Sequence, residues 1–390
     1  MKDIDKYWRI LFVESYPHVI FGQQKTMLTL LQKCQGTQIE AIAGVTAEGP
    51  FVKTVRQLGL EIIFFNYPKL LANYGGAIYR YQGLRKLSFG WQVLKYIYAI
   101  RQQLQEQKIQ AVFCNDMRGL LTVGIAARSC NIPVMIWDKL DRPHGWLDYL
   151  QLPLTNTIAF ISESVKTKFP TWQLRRYHQK LHTVPNGANI VQFDMTPPIK
   201  RQALGIEEQD IVFAIVGSIT PRKGQDRLLT LVPRLVKQIP HAKIMIIGAE
   251  AGSEEDKIYL ENLPNRQHPN VHFLGLRQDV PAIMHTIDAL IIPSRYEGMG
   301  QVIAEAMACR KPVVGARAGG IQEVIVDGET GFLFEGDNSE QLLMALVKLG
   351  HSSELRTKMG EAGRQRVEKF YDRSVQMDKI IALLTTMVNK

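Results

Sequence analysis

The 390-residue chain is poor in cysteine, and the four that it has, Cys34, Cys114, Cys130 and Cys309, stand far apart with no Cys-x-x-Cys pair. That spacing excludes a zinc knuckle and a disulfide framework and predicts reduced, mostly buried thiols. Long apolar runs are also missing. Stretches such as Ile211–Val216 and Ile244–Ile247 have strand length, far short of the roughly 20 residues a membrane-spanning helix needs. The opening Met1-Lys2-Asp3-Ile4-Asp5-Lys6 lacks the apolar core of a secretion signal, which predicts a cytoplasmic protein. The Gly-x-x-x-x-Gly-Lys-Ser/Thr order of a P-loop does not occur. A single Asp-x-Asp, Asp3-Ile4-Asp5, precedes the first strand and reads as a solvated end, so no metal site is expected. There is no repeat of 20 to 50 residues and no low-complexity tract.

What is present fits a folded globular protein: 46% hydrophobic and 22% charged residues, at a length that favours two domains. The charge is uneven. Lys plus Arg total 47 against 37 Asp plus Glu, a net of +10. Residues 1–190 hold 23 basic and 12 acidic residues, a balance of +11, whereas residues 191–390 hold 24 and 25, a balance of −1. Two halves so different in charge are expected to face different partners.

Short runs rich in Val, Ile and Phe alternate with longer amphipathic stretches, the pattern of parallel sheets covered by helices. Seven such runs lie before residue 190 and six after it, so each half reads as a doubly wound α/β unit. Pro185-Asn186-Gly187-Ala188-Asn189 and Pro197-Pro198 separate them, because neither helix nor strand continues through such residues. The expected division is a first domain over 1–190, a second over 191–370 and a C-terminal helix over 371–390 packing back on the first domain. Two open sheets joined by a hinge bind ligand in the cleft outside their strands' carboxyl ends.

The strongest motif follows the strand at Ala289–Ile292 and runs Pro293-Ser294-Arg295-Tyr296-Glu297-Gly298-Met299-Gly300-Gln301-Val302, reaching Glu305. A glycine-rich loop here opens into a helix whose free N–H groups favour an anion such as a diphosphate. Glu297 by itself reads as an acid at a helix start, and Glu305 as a solvated helix residue. With Gly298 and Gly300 between them at a strand's carboxyl end, they suggest a ligand in which phosphate is flanked by polyols. A second loop, Gly217-Ser218-Ile219-Thr220-Pro221-Arg222-Lys223-Gly224, sets two cations beside a turn, where they either neutralise a leaving diphosphate or form a solvated basic turn. A third, Ala316 to Glu323, repeats the pattern. In the first half the loop Ser15–Gln24, containing Gly22, reads as either a site or a plain connection.

At these residues the chain resembles the retaining glycosyltransferases of the GT-B fold, in particular the GT4 family. Glu297 and Glu305 match the family's Glu-x7-Glu motif, Val184-Pro185-Asn186-Gly187 its interdomain signature, and Gly319–Glu323 with Asp327–Phe332 the closing segment of its donor domain. The resemblance implies two Rossmann-like domains facing a cleft, an acceptor-binding one over 1–190 and a donor-binding one over 191–370, with a C-terminal helix crossing back. It also implies that Lys223 and Arg222 hold the donor phosphates, that Glu297 meets the transferred sugar or its phosphate, and that the backbone of Gly298, Met299, Gly300, Gln301 and Val302 holds sugar and diphosphate. Glu305 would take the ribose hydroxyls, Arg277 would meet the nucleobase, and Gly22 would lie on the acceptor side. Two positions depart from the pattern: Ser218 stands where many relatives have arginine, and Trp137-Asp138 where many have histidine. Asp138 and the nearby His144 are therefore the acceptor-side candidates for that place.

The reading is sugar transfer from a nucleotide-diphosphate sugar to a glycan, lipid-linked or small-molecule acceptor, without a metal or a further cofactor. Residues 66–101 interleave Lys69, Arg80, Arg85, Lys86, Lys95 and Arg101 with eight aromatic rings. That mixture suits either an anionic membrane surface or an ordinary solvated helix. A sugar-nucleotide epimerase and a non-catalytic nucleotide-sugar binder are the alternatives. A nucleic-acid binder would leave the Glu297 loop idle, and no RNA or DNA motif is present.

Overall fold

In the strand β1 (Trp8–Glu14), Ile10 and Phe12 face one way and Leu11 and Val13 the other, and none exceeds 1% exposure. A strand buried on both faces belongs at the centre of a helix-covered parallel sheet. The computed structural model, which describes residues 7–67, 84–140, 143 and 145–389, places it there. Its neighbours are β2 (Ile39–Val45), β3 (Glu61–Phe64), β4 (Ala111–Cys114), β5 (Val134–Asp138), β6 (Thr157–Phe160) and β7 (Leu181–Thr183). All pair in parallel in the order β3-β2-β1-β4-β5-β6-β7.

A second parallel sheet comprises β8 (Ile211–Val216), β9 (Ala242–Ile247), β10 (Val271–Gly275), β11 (Ala289–Ile292), β12 (Val313–Ala316) and β13 (Gly331–Phe334), ordered β10-β9-β8-β11-β12-β13. The order reverses between β1 and β4 in the first sheet and between β8 and β11 in the second. Those are the switch points at which open α/β sheets form ligand crevices.

One apolar cluster covers a face of each sheet and runs continuously between the domains, from Leu11, Val112 and Phe160 to Val212, Leu290 and Ile303. The other face of the first sheet packs against the helices Gly22–Cys34, Pro50–Gln57 and Arg373–Val388. The last of these follows the second domain in sequence. Its residues Met377, Ile380, Ile381, Leu384 and Met387 share a core with Ile10, Phe12, Phe113 and Trp137, and Lys33 pairs with Asp378 at 2.7 Å. The returning chain is pinned at its crossing, where the Ala188 N–H donates to the Tyr371 carbonyl at 2.9 Å and the Arg373 N–H to the Ala188 carbonyl at 3.0 Å. Cys34, Cys114 and Cys309 are buried thiols.

Candidate active site

Both loops at the second sheet's switch point are shaped by their helix starts. After β8, the Thr220 hydroxyl caps the short turn Pro221–Lys223, and Gly224 follows at φ +69°. A Cβ on Gly224 would lie 2.2 Å from the Pro293 carbonyl, so a larger residue would force the loops after β8 and β11 apart. After β11, Gly300 at φ +78° precedes the helix Gln301–Ala308, a backbone conformation that glycine adopts at little cost.

This packing brings the predicted charges together. The Lys223 ammonium lies 2.5 Å from a Glu297 carboxylate oxygen, and an Arg222 guanidinium nitrogen lies 3.5 Å from the same atom. Burial alone would push the Glu297 carboxyl up, but Lys223 and Arg222 outweigh it and hold the group below the usual carboxylate range. Two steps further on, Gln301 donates to Glu305 at 2.8 Å, and Arg373 stands 3.6 Å from that carboxylate. Met299 is 2% exposed, and Val302 packs at the edge of the interdomain core. Ser218 follows the β8 strand on the same loop as Lys223, and its carbonyl accepts from Gln225 at 2.9 Å. Arg277 stands apart, beyond the outer strand β10, where it pairs with Asp279 at 2.5 Å.

The first domain meets this loop directly. Ser162 donates to the Gly298 carbonyl at 2.5 Å, and a Cβ on Gly298 would lie 2.6 Å from the Lys139 carbonyl. The Gln301 side chain approaches Gly22, the glycine predicted for the acceptor side, 3.7 Å from where a Cβ on it would sit. The third glycine loop also joins the cleft: Gly320 donates its N–H to the Glu297 carbonyl at 2.9 Å, and the Glu323 carboxylate accepts the Glu163 and Ser164 N–H groups at 2.8 and 2.7 Å. Asp138 has a different neighbourhood from a cleft-facing acid. Its carboxylate accepts from Gln151 at 2.6 Å and pairs at 2.6 Å with Lys168, a side chain only 1% exposed. His144 lies outside the described residues, as do Lys69 and Arg80 of the basic and aromatic segment.

Two features escaped the sequence reading. Arg295 clamps the loops, reaching the Pro221 carbonyl at 2.7 Å and both Asp226 oxygens at 2.9 and 2.7 Å. At the first sheet's switch point, Lys139 donates to Asn115 at 2.5 Å, and Asn115 donates to Glu14 at 2.6 Å. Gln24 and the Tyr16 N–H also donate to Glu14, while the Ser15 hydroxyl and the Gly119 N–H donate to Asp116. Burial raises the Glu14 and Asp116 carboxyls. It pushes the Lys139 amine down to about 8, against the opposing pull of Glu14, Asp116 and Asp138. Lys139 is the residue directly after Trp137-Asp138, so its place beside a departed family position was the one available signal.

Residues 198–366 match the family model described as Glycosyl transferases group 1. A GDP-mannose-dependent monoacylated alpha-(1-6)-phosphatidylinositol monomannoside mannosyltransferase of Corynebacterium glutamicum is 29% identical over 239 residues, 56% of this chain and 61% of that protein. The capsular polysaccharide biosynthesis glycosyltransferase CapM of Staphylococcus aureus is 25% identical over 244 residues, 60% of this chain and 63% of its own. Across three curated relatives the chain spans 45 to 61% of their length. Among solved structures, Anabaena Alr3699/HepE in complex with UDP and glucose superposes at a TM-score of 0.76 and 19% identity, over 97% of this chain and 100% of that one. The architecture is therefore GT-B, and residues 198–366 carry the domain described as Glycosyl transferases group 1.

Proposed function

We propose that the protein transfers a sugar from a nucleoside-diphosphate donor to a hydroxyl of a glycan or lipid-linked acceptor, with retention at the anomeric carbon. One observation carries this reading: Lys223, Arg222 and Glu297 converge at a switch point, beside the amino end of the helix Gln301–Ala308. The relatives' printed names agree with it in kind, since one uses GDP-mannose and a structural neighbour holds UDP. They name transferases, which favours transfer over epimerisation.

In this reading the backbone from Gly298 to Val302, with Lys223 and Arg222, holds the diphosphate. Glu297 stays ionised, orients Lys223 and accepts hydroxyls of the transferred sugar. Glu305 receives the ribose, Ser218 lines the phosphate loop, and Arg277 lies toward the base. The bond from the anomeric carbon to the diphosphate oxygen breaks with its electron pair going to that oxygen. The acceptor oxygen bonds to the same face of the carbon, and its proton passes to the departing diphosphate. Lys223 and the loop N–H groups stabilise the charge that develops there, and such a preorganised donor is worth roughly 3–4 kcal/mol. The positive charge of Lys223 and Arg222 makes the reaction metal-independent in this account. Gly22 and the Lys139 cluster face the acceptor, and Asp138, held by Lys168, adds its charge beside Lys139.

The test is nucleotide release and sugar transfer from a panel of UDP-, GDP- and ADP-sugars, with lipid and glycan extracts as acceptors and with and without a chelator. Turnover that persists in chelator and falls by about 10²–10³ in Lys223→Ala is the expected result, with Glu297→Ala impaired as well. Failure of every donor with every extract would falsify the transferase reading.

An anionic membrane surface is the further partner proposed for the basic half. No helix among the described residues is long and apolar enough to cross a membrane, so such contact would be peripheral. In the helix Leu84–Glu106, Trp91, Leu94 and Tyr98 recur on one face, each 61% exposed, and the Lys95 ammonium lies 5.5 Å over the Trp91 ring.

A further inference from the structure

The cleft occupies the carboxyl ends of the strands, yet a second cavity opens near the amino ends of β6 and β7, between the first sheet and the helix Arg373–Val388. It has a volume of about 350 Å³, within the range of ligand pockets. Among the described residues no carboxylate lines it. Arg176, Lys180 and His182 do, together with the amides of Asn156 and Gln179 and the Thr386 hydroxyl.

Among the described residues the hydrogen bonding around this cavity leaves donors without acceptors, with Lys180 and Arg176 lying 4.3 and 5.7 Å over the Tyr177 ring. The Lys180 ammonium donates to the Leu152 carbonyl and, at 2.6 Å, to the Thr155 carbonyl, which uses two of its three N–H groups. The Asn156 side-chain oxygen accepts from Arg128 at 2.9 Å and from the Val134 N–H at 3.0 Å. That fixes the amide's orientation and keeps its NH₂ group for another partner. Burial, then the neighbouring Arg128, pushes the Lys180 amine down to about 8, as expected of a half-buried cation crowded by a like charge. Arg128, Arg176 and Lys180 form no ion pair among the described residues. A group of cations and neutral donors around one cavity is complementary to an oxyanion, to which charged donors bind more strongly than to a neutral acceptor.

We propose that this cavity binds a phosphate group, held by Arg176 and Lys180 with Asn156, Gln179 and Thr386 as neutral donors. The site is separate from the donor diphosphate site and stands whether or not the transferase reading does. Because the helix Arg373–Val388 supplies Leu383, Thr386 and Met387 to the same cavity, an occupant would clamp that helix onto the first domain. Binding there would stabilise the folded chain in proportion to ligand occupancy.

The experiment titrates the full-length protein with inorganic phosphate, and separately with glycerophosphoglycerol as a soluble phosphodiester headgroup. Both are run at constant ionic strength against chloride, following heat of binding and Tm. Saturable binding with a rise in Tm is expected. It should weaken roughly tenfold or more in Arg176→Glu and in Gln179→Glu, two exposed positions whose change leaves nucleotide release at the cleft intact. A response to phosphate alone identifies a free phosphate or monoester as the ligand, and an equal response to the diester identifies a headgroup. Absence of saturable binding to both probes, or binding that neither variant alters, overturns the proposal.

Discussion

Lys139 shows how far a single side chain departs from its solution behaviour when a fold encloses it. Burial pushes its amine down to about 8 in the folded protein, from the 10.5 ordinary for a lysine. Between those values the unfolded chain binds the additional proton, so this group makes stability rise with pH from about 8 to about 10.5, at up to ~1.4 kcal/mol per pH unit. Urea unfolding of wild type and Lys139→Met across that window checks it: the difference in stability should move in favour of the wild type as pH rises. Parallel curves would mean that the amine is not buried. The same cluster separates what residue-level reading can and cannot find. Glu297 and Lys223 were legible because glycines and strand ends surround both. Glu14, Asn115 and Lys139 come from three different strand ends, and no spacing along the chain marks their convergence.

At the scale of elements, a glycine-opened helix stands beside the charged loops of the second sheet, and an exposed apolar face marks one helix of the first domain. Trp91, Leu94 and Tyr98 sit at i, i+3 and i+7 of the helix Leu84–Glu106, so they form one stripe. Rings and an aliphatic side chain at that density suit the headgroup zone, and an adjacent lysine adds roughly 1 kcal/mol toward an anionic surface. The protein is expected to float with phosphatidylglycerol vesicles at low salt and to release at high salt. Replacing all three residues by alanine should abolish flotation, whereas flotation indifferent to anionic lipid would count against the membrane partner. The element pattern itself was readable, because strands of a doubly wound sheet are continuous apolar runs between amphipathic helices. The Asp138–Lys168 pair was not readable, since it joins the end of β5 to a segment 30 residues later.

The whole molecule depends on the chain returning to its first domain. Leu384 is fully buried in the core that it shares with Phe12 and Phe113. Leu384→Ala should cost about 2–5 kcal/mol and lower the urea midpoint, while Leu384→Met, which conserves volume, should cost less than ~1.5 kcal/mol. Equal loss in both variants would show that packing volume is not what the helix contributes. By itself the sequence determined two parallel α/β units, a hinge of turn residues and two charged glycine loops, because periodicity and backbone preference are local properties. Only the tertiary structure decided that Lys223 lies 2.5 Å from Glu297, that Glu323 caps a helix of the other domain, and that Arg176 and Lys180 line a cavity behind the first sheet. Those contacts join residues from about 70 to more than 150 positions apart or gather several elements at one place, and packing distances of that kind are set by the burial of both sheets together, which no local pattern encodes.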